Sequence, residues 1–359
     1  MPSTASSSTA ARLSTLLTTL LPALAAAQTY SSCNPTNSSQ FPCPADTGLC
    51  QSTVFETDFT TGGKNSSGWT TTAGNVTYSD AGAAFTIAQR GDAPTIETDF
   101  YIFYGRVEVT MKSAPGTGIV SSIVVESDDL DEIDWEFLGG ENTLVQSNYF
   151  GKGNTTTYDR EADHAVTTPE DVSHTYAIDW TSDRIAWLIN NTTVRTLAYA
   201  DAVAGTNFPQ TPATVRLGIW AGGDQDNSYW TRYWAGGNTT YSADAGMPWT
   251  MTVERVSITN YSPASSYNYT DGTGDASSVA LIGTDCSSSG GGNGTAAAAA
   301  ASVSAYAAST TPSSVTGTGT ATPTPTPSGG AYESGGVERL GGGLREFLFG
   351  SVFVALLLL

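Results

Sequence analysis

Positive charge is scarce in this chain: 14 Lys and Arg stand against 34 Asp and Glu in 359 residues, a formal net charge of −20. Such a surface repels phosphate backbones and anionic headgroups, which excludes nucleic acid and anionic membrane as partners and suits a neutral or cationic polymer. Histidine is scarcer still. The only two, His164 and His174, make no metal-ligand pair with a cysteine or with each other. No Gly-rich phosphate loop stands in the right context, and there is no Ser nucleophile elbow. No stretch has the periodicity of a long amphipathic helix. No cofactor and no catalytic metal are expected.

Long apolar runs are missing except at the two ends. Residues 1–27 read as a secretory signal: Arg12 gives the positive region, 13–24 a short apolar core, and Ala25-Ala26-Ala27 a small-residue cleavage site before Gln28. Residues 347–359 form a second apolar segment, preceded by a polar spacer and by the small residues Ser334-Gly335-Gly336. That is the arrangement of a glycosylphosphatidylinositol attachment signal, with 334–359 removed and Ser334 the expected attachment residue. Between the domain and this signal, 287–333 is rich in Ser, Thr, Pro, Gly and Ala. It cannot bury enough apolar surface to offset its ordering entropy, and is expected to be a disordered, O-glycosylated stalk.

Residues 28–286 remain as one domain. Asn-X-Ser/Thr sequons at Asn37, Asn65, Asn75, Asn154, Asn190, Asn238, Asn260 and Asn268 suit a secreted glycoprotein. The four cysteines then belong to an oxidising compartment and allow three pairings. A local clasp Cys33–Cys43 is expected, leaving Cys50–Cys286 to tie the domain's two ends.

What is abundant is strand pattern. Residues 100–112 alternate (Arg106, Glu108, Thr110 against Val107, Val109, Met111), and further strands are expected at 119–125, 143–149, 174–180, 184–189, 214–221 and 251–259. Ser182-Asp183 and Asn190-Asn191 read as hairpin turns. Short strands at regular spacing predict an all-β, two-sheet antiparallel sandwich.

The stretch 130–139 organises the rest. Glu132, Asp134 and Glu136 alternate with Ile133, Trp135 and Phe137, so a strand would put three carboxyls on one face and three large apolar groups on the other. Stacked carboxylates repel each other and do nothing for a fold. They suit a glycosidase, in which one carboxylate attacks a sugar and another protonates the leaving oxygen. A calcium site and a merely solvated acidic face are the competing readings.

Asp131-Glu132-Ile133-Asp134-Trp135-Glu136 resembles the signature of glycoside hydrolase family 16, whose members are β-jelly-roll enzymes acting on β-linked glucans. Downstream, Gln146-Ser147-Asn148-Tyr149-Phe150-Gly151, His174-Thr175-Tyr176-Ala177-Ile178-Asp179-Trp180 and Ile185-Ala186-Trp187 reinforce it. The repeated Trp-Ala-Gly-Gly (220–223 and 234–237) and the opening Cys33-Asn34-Pro35 are similar to the fungal Crh group. The resemblance runs from about 33 to 258 and includes the anchor signal. It implies a jelly roll with a concave groove, and an anchored enzyme of the cell wall that cuts chitin and transfers the fragment to β-glucan. Its partners would be those two polysaccharides, with the membrane met only through a lipid anchor; a monomer on the outer face of the plasma membrane or in the wall is expected. Glu132 would be the nucleophile, Glu136 the proton donor and base, and Asp134 the assisting acid. Glu136, Arg216, Trp220 and Thr231 would bind substrate, with Asn148 and Trp187 as further groove candidates. The sequence departs from the group at Trp230, where a glycine usually precedes the threonine. Hydrolysis without transfer (an endo-β-glucanase or chitinase) and a non-catalytic wall polysaccharide-binding protein are the alternatives.

Four residues along a flat strand span about 13 Å, whereas the carboxyls of retaining enzymes lie about 5–5.5 Å apart. The acidic strand is therefore expected to be twisted and concave, with both side chains leaning inward.

Overall fold

The computed structural model describes residues 30–51, 54–62 and 66–286. The expected signal (1–27), stalk (287–333) and anchor signal with Ser334 lie outside the described residues, as does the sequon at Asn65.

Two antiparallel sheets stack face to face. The first has seven strands, in the order Ala162–Ala165, Leu144–Phe150, Glu132–Leu138, Ile119–Ser127, Ala213–Ala221, Thr95–Thr98, Trp69–Ala73. The second has eight, built around Gly105–Lys112 and Trp249–Asn260, with His174–Trp180, Arg184–Ile189 and Thr192–Ala198 on one side. This is the all-β sandwich the strand pattern predicts. Gly105–Lys112 alternates buried and half-buried residues throughout its length, whereas every residue of Ile119–Ser127 and Ala213–Ala221 is buried. The alternating strand has one face on the core and one near solvent; the other two sit mid-sheet and are covered on both faces.

Ile133, Trp135 and Phe137 point into the space between sheets, as their parity requires. Phe137 meets the Tyr176 ring edge-on at 4.6 Å, and Trp135 meets it at 5.8 Å. Two indoles also stitch the layers: Trp135 donates to the Ala177 carbonyl (3.2 Å), and Trp187 donates to the Asp134 carbonyl (3.1 Å). Trp187 is therefore a core residue, fully buried, rather than a groove residue. Its side-chain N–H needs a partner inside the sandwich, and the backbone of the acidic strand supplies it.

The expected long strand 100–112 is shorter. Ile102 pairs with Ala213 of the first sheet, while Gly105 onward belongs to the second. One straight strand cannot serve both layers, so the chain turns between them at Tyr104, whose φ is 57°. Both hairpins form where expected, and Asn190 and Asn191 have φ of 48° and 63°, the left-handed pair of a tight two-residue turn.

A third sheet of Asp46–Thr47, Ser266–Tyr269 and Val279–Ile282 gathers the domain's ends. Disulfides link Cys33 to Cys43 and Cys50 to Cys286, the second across 236 residues. Asn260, one of the sequons, is 7 % exposed and donates its amide hydrogens to the Leu49 carbonyl and the Tyr267 hydroxyl. Its nitrogen is used inside the fold and is closed to a glycan.

Candidate active site

The seven-stranded sheet turns its outer face into a groove, and strand register says which side chains share it. Opposite residues of an antiparallel pair point the same way. Glu132, Asp134 and Glu136 stand opposite Phe150, Asn148 and Gln146 on one neighbour, and opposite Glu126, Val124 and Ser122 on the other. One strand further on, Arg216 lies in the row of Val124, and Trp220 in the row of Val120 and Leu138. The three acids, Asn148, Arg216 and Trp220 thus occupy one face.

A tight turn sets the acidic strand. Leu130 adopts φ of 66°, and its N–H donates to the Ser127 carbonyl at 3.0 Å. Asp131, of the opposite parity, points away from the groove. Its carboxyl accepts from the backbone N–H groups of Lys152 (2.8 Å) and Gln210 (2.7 Å) and from the Thr211 hydroxyl (2.8 Å). Of the four acids in the motif, this one anchors the turn and leaves three for chemistry.

Those three influence one another. Burial, the Glu132 charge and the Glu161 charge push Glu136 up to about 8. Burial, the charges of Glu136 and Glu132, and a hydrogen bond with Glu132 raise Asp134 well above the ordinary carboxylate range. Asp134 is 1 % exposed, whereas Glu132 and Glu136 are half-buried and reach the groove. At neutral pH Glu136 thus favours its protonated form and can donate to a substrate oxygen, while burial and the neighbouring charges shift Asp134 toward its protonated form beside Glu132. Beside Glu136 opens a cavity of about 360 Å³, lined also by Leu138, Gln146, Asp163, Thr117 and Gly236.

Arg216 is 3 % exposed. It pairs with the buried Glu126 and, at 3.4 Å, with Glu97. Tyr30 lies over it: the guanidinium carbon is 4.2 Å from the ring centroid, the Tyr30 carbonyl accepts from Arg216 at 3.2 Å, and the Tyr30 hydroxyl donates to Glu97 at 2.6 Å. Arg216 thereby balances the buried Glu126, which stands directly opposite the half-buried Glu132. Trp220 is 6 % exposed, because Trp234 stacks on it at 6.2 Å with planes 27° apart. Thr231 sits on the short helix Tyr229–Trp234, its hydroxyl 2.8 Å from that of Ser228, whose side chain also caps the helix. Asn148 is 8 % exposed and accepts from the N–H of Tyr149. Among the described residues no group of His, Cys, Asp and Glu is arranged to hold a metal ion.

Trp234 and Gln146, which the sequence offered only as members of motifs, are additions to the site. The Trp234 indole donates to the Gln146 side-chain oxygen at 2.8 Å, next to Glu136. The repeated Trp-Ala-Gly-Gly was the available signal, and the fold explains it: the two tryptophans stack, and the second glycines of the two copies meet. A Cβ at Gly223 would collide with the Gly237 carbonyl and come within 2.8 Å of the Gly118 Cα. Glu126 and Glu97 carried no signal; neither belongs to a motif.

The family model for glycosyl hydrolases family 16 matches residues 63–237. The chain is 57 % identical over 265 residues to Crh-like protein 1 of Aspergillus fumigatus, covering 74 % of this chain and 70 % of that one. With Crh-like protein 5 of the same organism it shares 54 % over 274 residues, 76 % of this chain and 67 % of the relative. The chain belongs to the Crh-like group of family 16. A solved structure, "Crh5 transglycosylase in complex with NAG", superposes with a TM-score of 0.66 at 54 % identity, over 69 % of this chain and 99 % of that one. The Crh-like chain described here is accordingly a glycosidase-type enzyme with the jelly-roll architecture of its group.

Proposed function

We propose that this Crh-like enzyme is a cell-wall transglycosidase that cleaves chitin and transfers the fragment to β-glucan through a glycosyl-enzyme intermediate. The observation that carries this reading is the shared groove face of Glu132, Asp134 and Glu136, with Glu136 held in its protonated form up to about pH 8. In the first step the Glu132 carboxylate attacks the anomeric carbon, and the C–O bond to the leaving sugar breaks as Glu136 delivers its proton to that oxygen. Esterification removes the Glu132 charge that helps hold Glu136 up, so Glu136 becomes more acidic and can take the proton of an incoming hydroxyl. That hydroxyl attacks the same carbon and releases Glu132. Asp134 donates to the nucleophile and fixes its rotamer. Transfer requires an acceptor sugar, oriented beside Glu136, to outcompete water. The likeness to a transglycosylase crystallised with NAG supports both transfer and a chitin donor, chitin being a polymer of that sugar.

In this reading Glu136, Arg216, Trp220 and Thr231 contribute to substrate binding. For Arg216 and Trp220 the support is indirect, since Arg216 braces Glu126, Glu97 and Tyr30 and Trp220 lies under Trp234. The protein is secreted through the segment 1–27, works as a monomer, and is held at the outer face of the plasma membrane or in the wall by a lipid on Ser334, with 287–333 as a stalk. The two disulfides support an oxidising destination.

Purified protein incubated with chitin oligosaccharides and a labelled β-glucan acceptor is expected to give hybrid products, and Glu132→Gln to give none. Shorter chitin oligosaccharides without hybrids would make it a hydrolase. Equal behaviour of wild type and Glu132→Gln would leave only a binding protein.

A further inference from the structure

The helix Tyr229–Trp234 packs four aromatic residues into a single short segment. Trp234 faces inward, stacked on Trp220 and hydrogen-bonded to Gln146 beside Glu136. The other three face out: Tyr229, Trp230 and Tyr233 are 62 %, 46 % and 56 % exposed. Their rings touch. Tyr229 and Tyr233 lie 6.2 Å apart with planes 21° from parallel, and Trp230 stands edge-on to them at 5.0 and 6.3 Å.

Tyr and Trp are middling helix formers, and so short a helix is stable only through its cap and its packing, here Ser228 and Trp234. Contiguous exposed aromatic surface on a secreted domain marks a binding site. The flat apolar faces of these rings match the C–H faces of pyranose rings. The patch also continues the groove: its helix is joined through Trp234 to Gln146, Leu138 and the row of Glu136.

We propose that Tyr229, Trp230 and Tyr233 form a stacking platform for a β-linked polysaccharide chain where it runs out of the groove beyond Glu136. The proposal deepens the polysaccharide reading above and rests on it. The platform acts on long chains, since a short oligosaccharide is spanned by the groove alone.

Binding is read in the Glu132→Gln background, so that no turnover intervenes. Trp230→Ala and the double variant Tyr229→Ala/Tyr233→Ala are measured for retention on insoluble chitin and on insoluble β-glucan, and by calorimetry with a short oligosaccharide of each. Affinity for one polymer is expected to fall about tenfold, at least about five times more than affinity for the matching oligosaccharide. Whichever polymer is lost identifies the chain that the platform holds. Equal losses on polymer and oligosaccharide, no loss at all, or a variant that instead alters the sedimenting mass, as for a docked second copy, overturns the platform. A protein that makes hybrid products while its ring variants keep polymer retention overturns the platform alone. One held on polymer by these rings but forming no products overturns the transferase reading alone.

Discussion

In the proposed mechanism the chemistry turns on Glu136, whose protonation is set by burial first and by neighbouring charges second. Its carboxyl sits at about 8, raised by burial first and by Glu132 second. The glycosylation rate should therefore fall as pH climbs through about 8, when the acid loses the proton it must deliver. In Glu132→Gln the Glu132 charge is gone, and the Glu136 titration followed by carboxyl-selective NMR should drop by about one unit. An unmoved titration would mean that the two carboxyls are not electrostatically linked. Glu132, Asp134 and Glu136 were legible in the sequence because a two-residue period assigns them a face without reference to the rest of the fold. Arg216 was named as a groove residue only through the resemblance to the Crh group. That it is almost wholly covered was not legible, because Glu126, Glu97 and Tyr30, which cover it, come from three other segments of the chain.

At the scale of elements, the two Trp-Ala-Gly-Gly copies behave as one unit that closes the end of the sheet beyond Glu136. Gly223 abuts the backbone of Gly118 and Gly237, neither of which can yield like a side chain. Gly223→Ala should cost about 1–3 kcal/mol, seen as a lower melting temperature. It should also separate Trp220 from Trp234, with a shifted tryptophan emission and weakened activity on polymer. A variant with native emission and stability would show that the contact is soft. Central strands such as Ile119–Ser127 and Ala213–Ala221 could be read from sequence because β-branched and other large apolar residues are dense in them. Trp69–Ala73, Thr192–Ala198 and Ala162–Ala165 could not. They lie at sheet edges and have few buried residues, so burial leaves little pattern in them.

For the molecule as a whole, the acids dictate how stability varies with pH. Asp46, 7 % exposed, is pushed to about 8 by burial and then by Asp128 and Asp129; Asp128 is raised to about 6, by burial first. Glu97 and the Tyr101 hydroxyl also bear on this cluster. A carboxyl raised in the folded state favours folding fully below its unfolded value of about 3.9, and that contribution is lost as pH rises through the folded value. Asp58, Asp159, Asp224 and Asp271 are lowered and act in the opposite sense, but their contribution is already complete near pH 5. Stability should therefore decline between about pH 5 and 8. Asp46→Asn should match wild type near pH 4.5 and exceed it at pH 8.5 by roughly 4–8 °C in melting temperature, for about 2 kcal/mol. Parallel melting curves would show that Asp46 does not carry the decline.

The sequence by itself determined the sandwich class, the face that the three acids share and the family, because each depends on a local period or a contiguous motif. Tertiary structure alone decided that Trp187 belongs to the core, that Arg216 and Trp220 are roofed, that Asn260 is closed to a glycan, and that Trp234 reaches Gln146. Each of those outcomes depends on which distant segment lies across a side chain, and periodicity along one strand contains no term for that.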